Sequence, residues 1–270
     1  MSARTRRAAA DYCLARRAMF IVDPPASWSS VDSVLSSGTG LDSRDWGLPA
    51  SANAALYFPR IRVADALRPG QTLDCAPCGA VAGVYARTDA ARGVWKAPAG
   101  QEATLTGVAG VTVALADSQI EQLNPRGVNC LRILPAQGVV AWGARTLMGD
   151  DALASEWKYV PVRRLALYVE SSLAGVIAST VNEAAEANIE GGEPLWAMLR
   201  QQAGAFLHDL FQNGALVGAT PREAYFVKCD RTTMTQDDIE QGRLIAQVGI
   251  APVKPAEFVI IRIGQWQTQP

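Results

Sequence analysis

Two cysteines three positions apart, Cys75 and Cys78 in the string CAPC, are by type and spacing the residues best suited to chemistry in this chain. A C-x-x-C pair serves redox proteins and contributes to zinc sites. Here it stands single. Cys13, Cys130 and Cys229 are isolated, and the preceding GQTLD is turn-like rather than the end of a thioredoxin-type strand. Buried thiols at the start of a helix are the expectation, and an odd set of 5 cysteines is unlike a secreted disulfide framework.

The remaining chemical candidates are weaker. His208 is the single histidine, so His-pair zinc sites are excluded and any Ser-His-Asp relay rests on it alone. It stands between Leu207 and Asp209 inside an amphipathic run, where a structural histidine is expected, and no G-x-S-x-G elbow exists to partner it. Asp237, Asp238 and Glu240 fall in a first helical turn, where a solvated acidic face offsets the helix dipole. The stretch GAVAGVYARTDAARGVWKAPAG (79–100) lacks both G-x-G-x-x-G and a G-K-[ST] ending, and GTG at 38–40 is followed by Ser43 where a third glycine is required. Gly79 and Gly83, four apart on a helix, instead make a smooth groove for another backbone. The seven tryptophans are scattered along the chain, as core and interface anchors are. No catalytic set, metal site or cofactor is expected.

Composition agrees with a folding chain. Of 270 residues 49% are hydrophobic and 19% charged, enough for a sizeable core and without a disorder signature. A formal net charge of -1 supplies no field toward nucleic acid or an anionic membrane. Asp11, Arg16 and Arg17 interrupt any signal-peptide core, and no run approaches the ~18 apolar residues of a membrane span. The expectation is a chain made and folded in a cytoplasm.

The elements that must position these residues alternate along the sequence. A helix over 3–18 precedes a buried strand at 19–23, a polar excursion with one helical turn near Val31–Leu35, and an extended segment at 54–63. Pro59 puts that segment at a sheet edge or a bend. A polar link at 64–77 leads to a helix stopped by Gly93. A strand at 111–115, a short helix at 117–123 and a strand pair at 130–134 and 139–144 follow. Pro161 opens a helix with Leu165, Val169 and Leu173 on one face; the acidic run STVNEAAEANIEGGE then reads as a loop. A helix over 193–214 carries Leu195, Leu199, Phe206 and Leu210 on one stripe. Strands at 223–229, LIAQVGI and 256–263 bracket a helix begun by Thr235. Phe258, Val259, Ile260 and Ile261 are consecutively apolar, so the final strand needs cover on both faces, which the polar tail GQWQTQP cannot supply.

Several long strings, among them NPRGVNCLRILP, SEWKYVPVRRLALYVESSL, EPLWAMLRQQAGAFLHDLFQNGALVGATPREAYFVKCD and VGIAPVKPAEFVIIRI, resemble the C-terminal half of contractile tail sheath proteins, most closely those of phage-tail-like contractile injection systems. The resemblance implies a mixed α/β (α+β) sheath core domain, a sheet flanked by helices, over 1–253, and a C-terminal strand-exchange arm over 254–270. It implies a structural subunit, not an enzyme, that polymerises helically with other sheath subunits around an inner tube protein on a baseplate. Contraction then drives the tube without nucleotide hydrolysis, on energy stored in subunit packing. Nucleic acid and membrane insertion have no direct part. Such a chain is expected in the bacterial cytoplasm during assembly and in a phage tail or released particle afterwards.

By the same resemblance Phe258, Val259, Ile260, Ile261, Arg262 and Ile263 form the inter-subunit strand, while Asp237, Asp238, Glu240 and Arg243 are candidates to face the inner tube. Three departures accompany it. The chain begins where the family's conserved C-terminal half begins, so an N-terminal arm is expected to be absent. Between ESSL and EPLW the family has a buried strand rich in Trp, Val and Phe, whereas AGVIASTVNEAAEANIEGG is longer and more polar; one core strand is expected to be missing or replaced. The tail after Ile263 is short. An alternative expectation is a truncated sheath-like protein that caps or regulates a full-length sheath.

Overall fold

The computed structural model describes residues 2–44, 46–186, 192–241 and 243–255. Its first part runs α1 (Ala3–Ala15), β1 (Phe20–Val22), α2 (Val31–Leu35), β2 (Ala54–Phe58), β3 (Ile61–Ala64), β4 (Thr72–Cys75), α3 (Cys78–Arg92), β5 (Val108–Val111), α4 (Asp117–Leu123), β6 (Val128–Leu134) and β7 (Gly138–Trp142). After a 3-10 turn at Asp151–Leu153 come α5 (Val160–Glu186), α6 (Glu193–Gln212), α7 (Pro221–Ala224), β8 (Tyr225–Lys228), α8 (Gln236–Glu240) and β9 (Gln247–Ile250).

The central sheet has the order β1-β2-β6-β7, with β1, β2 and β6 parallel and β7 antiparallel to β6. All five residues of β2 are buried, which explains why AALYF shows no polar alternation. Leu56 and Phe58 join a core with Val22, Trp28, Val34, Ile120, Leu123 and Cys130. Ala55 and Tyr57 point to the other face, among Val81, Val84, Tyr85 and Leu131. Helices α2 and α4 thus cover one face and α3 the other. Of the two positions open to Pro59, the bend is realised: β2 lies inside its sheet, and the chain turns after Phe58 into β3 of a second sheet ordered β4-β3-β5. Strand β4 falls in the expected polar link. Three of its four residues are exposed, so no burial pattern marks it in the sequence.

A buried asparagine ties the end of the central sheet together. Asn129, wholly buried, donates to Leu56 O at 3.0 Å and Arg145 O at 2.7 Å, and its Oδ1 accepts from the Arg145 N–H at 2.6 Å. Between α3 and α5, Arg164 grips Asp89 at 2.9 and 2.5 Å and lies 4.5 Å over the Tyr85 ring. The Tyr85 hydroxyl meets that of Tyr57 at 2.8 Å, and burial pushes the Tyr85 phenol up to about 12.

The expected acidic loop after α5 is instead helix as far as Glu186. Packing against α6 accounts for the difference. Thr180 is fully buried, its hydroxyl 2.8 Å from Val176 O and 2.6 Å from Gln202 Oε1, and Gln202 Nε2 donates to Glu183 at 2.8 Å. Val176 and Ile177 pack with Trp196 and Leu199. These contacts across two helices override a composition that reads as loop. The extension also corrects the membrane reading, because Val160–Glu183, at a mean hydropathy of 1.2, has the length and composition to cross a bilayer. Its first ten residues are anchored in the protein: Val160, Val162, Leu165 and Val169 are buried, and Arg163 and Arg164 are committed to Asn53 and Asp89.

Candidate functional site

The residues marked for chemistry are taken up by structure. Cys75 ends β4 and Cys78 opens α3, both half-buried. The Cys78 N–H donates to Asp23 Oδ1 at 2.9 Å. Burial first, and then the Asp23 carboxylate beside it, push the Cys78 thiol up to about 11. This opposes the thiolate that a redox or metal site needs. Alkylation of Cys78 at pH 8 is therefore expected to run about a hundredfold slower than that of an unperturbed thiol, from two pH units of lost thiolate. Iodoacetamide labelling followed by peptide mass spectrometry reads this rate directly.

His208 lies on the α6 face toward β8, with Nδ1 at 3.2 Å from the Tyr225 hydroxyl and Nε2 at 3.0 Å from Gln212 Nε2. It is a partnered packing residue. The tryptophans form no single platform. Trp28 and Trp46 stack at 5.0 Å inside the core, Trp95 folds back against Gly93, and Trp157 lies under Arg163 at 4.7 Å. On α3, Val81, Val84 and Tyr85 face inward. Nothing described in the chain comes within 4 Å of a side chain placed at Gly79 or Gly83, so the groove they make is left open.

Three of the four charged candidates, Asp237, Asp238 and Arg243, come together, with Glu240 on the same short helix. Thr235 caps α8, and Asp238 Oδ2 accepts from the Thr235 N–H at 2.8 Å and from its hydroxyl at 2.6 Å. The Thr235 hydroxyl bond is the main cause holding the Asp238 carboxyl below its usual range. Arg243 bridges Asp238 Oδ1 at 2.8 Å and Asp237 Oδ2 at 2.9 Å, and Glu240 accepts from Gln236 at 3.1 Å. One arginine against three carboxylates leaves an acidic surplus on an exposed turn. The expected inter-subunit strand, Phe258, Val259, Ile260, Ile261, Arg262 and Ile263, lies outside the described residues, as does most of the arm expected over 254–270.

What the sequence pattern did not expose is the form of the sheet that precedes that strand. Strands β8 and β9 pair antiparallel, Tyr225 opposite Ile250 and Lys228 opposite Gln247, and make a ribbon of two strands to which no third is paired among the described residues. Tyr225, Val227, Val248 and Ile250 turn inward toward Leu207 and Leu210 of α6. The other face is open, and Phe226 is 56% exposed there, its ring laid across Gly249 where no side chain stands in the way. A two-stranded ribbon is marginal alone and gains from each added strand. One signal was present in the sequence: the alternation in EAYFVKC places a large aromatic on the outward face.

Comparison with known proteins agrees across the length of the chain. The family model described as phage tail sheath protein central domain matches residues 49–147, and that described as phage tail sheath C-terminal domain matches 154–265. A putative prophage major tail sheath protein of Pseudomonas aeruginosa (strain UCBPP-PA14) is 28% identical over 204 residues, 72% of this chain and 48% of the relative. The chain thus spans about half the length of that curated relative. In the cryo-EM structure of the anti-feeding prophage (AFP) baseplate in contracted state, a chain 30% identical superposes with a TM-score of 0.76, covering 96% of this chain and 68% of that one. In the PVC sheath complex of an extracellular contractile injection system in contracted state, the match is 32% identical with a TM-score of 0.71, over 91% of this chain and 63% of that one.

Proposed function

The chain belongs to the phage tail sheath family, and on that premise we propose that it is a structural subunit of a contractile sheath in a phage-tail-like injection particle. It polymerises with copies of itself around an inner tube seated on a baseplate and drives the tube by contraction. Its place is the bacterial cytoplasm during assembly and the finished particle afterwards. The observation that carries this reading is the β8–β9 ribbon, covered on one face by α6 and unpaired at its edges among the described residues. Strand addition to such a ribbon uses main-chain hydrogen bonds for affinity and alternate side chains for register. The arm of a neighbouring copy, Phe258 to Ile263, supplies a strand that needs cover on both faces, so each component meets the other's requirement. The acidic turn of Asp237, Asp238 and Glu240 with Arg243 faces the inner tube, where exposed charges attract weakly enough to release. The capping alternative has no such observation in its favour.

Full chain mixed with its inner-tube partner is expected to form ringed tubes in negative stain. Chains that stay monomeric at high concentration would contradict the proposal. Phe226→Asp is expected to leave the melting temperature within about 2 °C, because the ring is already solvent-exposed in the single subunit and exposed substitutions cost little. It should nevertheless raise the concentration needed for polymerisation about tenfold or more.

A further inference from the structure

The β3–β4 hairpin carries an apolar face farther than the core beneath it reaches. At its base Ile61 and Cys75, paired across the two strands, pack into the core around Val81 and Val84. One step outward Val63 is half-buried, and its partner Leu73 is 48% exposed. At the tip Leu67 is 91% exposed. Arg62 and Asp74, 3.3 Å apart, occupy the opposite face. Apolar side chains that run out past their own core mark a surface to be covered. The turn holds Leu67 outward: the Oδ1 of buried Asp65 accepts from the Leu67 N–H at 2.9 Å, and main-chain bonds join Asp65 to Arg68 and Gln71. A tip fixed in this way loses little freedom on binding.

A concave counterpart lies elsewhere on the chain. A cleft of about 1110 Å³ is lined largely by the segment after α3, by α4 and by the β6–β7 pair. Half-buried Trp95 and Trp142 and buried Ile120 make its lining apolar. Its three arginines already hold carboxylates, Arg92 with Glu102, Arg132 with Asp117 and Arg145 with Asp151. Exposed Glu121 in the lining takes part in no ion pair among the described residues, and neither does exposed Arg68 beside Leu67. Lys96, likewise unpaired there, is a donor suited to the carbonyls of Leu67 and Pro69, which the turn's own bonds leave unused.

A chain that polymerises helically carries two unlike patches that fit each other, because a head-to-tail contact repeats without closing. We propose that the tip of the β3–β4 hairpin, led by Leu67, seats in this cleft on a second copy of the chain, with Arg68 against Glu121. The choice of a second copy as occupant rests on the sheath reading; the contact itself is separate from the strand linkage.

The test uses the full chain carrying Leu67→p-benzoylphenylalanine, an equal mixture of unlabelled and 15N-labelled copies at high concentration, irradiated and analysed by peptide mass spectrometry. The expected result is links of mixed isotope from position 67 to Trp95, Lys96, Glu121 or Trp142. Glu121→Arg sets like charges together and is expected to lower the yield about fivefold, and adding Arg68→Glu is expected to restore it. Both positions are exposed, so the melting temperature should stay within about 2 °C of the parent. Links confined to one isotope, links that fall outside the cleft, no link at all, or a yield unmoved by the charge exchange would overturn the proposal. Negative stain of the same samples scores the sheath reading by itself. Tubes without the cleft link sink only this contact, whereas the link without tubes upholds the contact and counts against the sheath.

Discussion

Ile260→Pro is expected to leave the subunit folded, with its melting temperature within about 2 °C of the parent, and to abolish sheath polymerisation. Proline removes a backbone N–H and cannot serve in the interior of a hydrogen-bonded ladder. Position 260 lies at the middle of the segment that the proposal assigns to a neighbour's ribbon, so the lost bond falls where the linkage is made. The β8–β9 ribbon that receives it is unaltered in the variant. Sedimentation and negative stain read the outcome together: a folded monomer where the parent gives tubes, with at least a tenfold rise in the concentration at which polymer first appears. A variant that polymerises like the parent would remove the arm from the assembly mechanism.

The second large effect is on stability. Asn129→Leu keeps the heavy-atom count and branching of the side chain but leaves the Leu56 carbonyl, the Arg145 carbonyl and the Arg145 N–H without the partner that Asn129 gives them. All three bonds are buried. At about 1–3 kcal/mol for each of the three orphaned groups, the loss is on the order of 3–9 kcal/mol, enough to lower the melting temperature by roughly 6 °C or more. Thermal denaturation followed by circular dichroism measures it. A change under about 1 kcal/mol would mean that the sheet end relaxes to satisfy these groups otherwise.

The fold could be read in sequence wherever one element carried its own signal. The turn of helix at Val31–Leu35, the helix stopped by Gly93 and the Thr235 cap each depend on a few adjacent residues, and each stands where the pattern put it. The hidden features are those decided by contacts far along the chain. Strand β4 is exposed and carries no burial alternation; it exists because Val63 and Arg62 of β3 offer it a ladder. The last turns of α5 are polar and acidic, and Gln202 of α6 turns them from loop to helix through Thr180 and Glu183. Asn129 gave no hint of its three buried bonds, since their partners at Leu56 and Arg145 are distant in sequence. The candidate site divides along the same line. The Thr235–Asp238 cap was readable because capping is local, whereas the ribbon's open edges are a property of what fails to pair with it.

The same division explains why a family resemblance went further than any motif. A sheath subunit stores its function in interfaces, which are spread over many positions of ordinary residue types. Cys78 and His208, residues that attract attention by type, turn out to be packing residues, one with its thiol raised by burial and the other with its ring partnered by Tyr225 and Gln212.

Helical reconstruction of assembled tubes by cryo-EM is the most direct test of strand-mediated linkage. The prediction is density for Phe258 to Ile263 of one subunit running beside the β8–β9 ribbon of the next, with Phe226 covered at the contact. Tubes in which every ribbon keeps its edges free, or in which each arm rests on its own subunit, would contradict it.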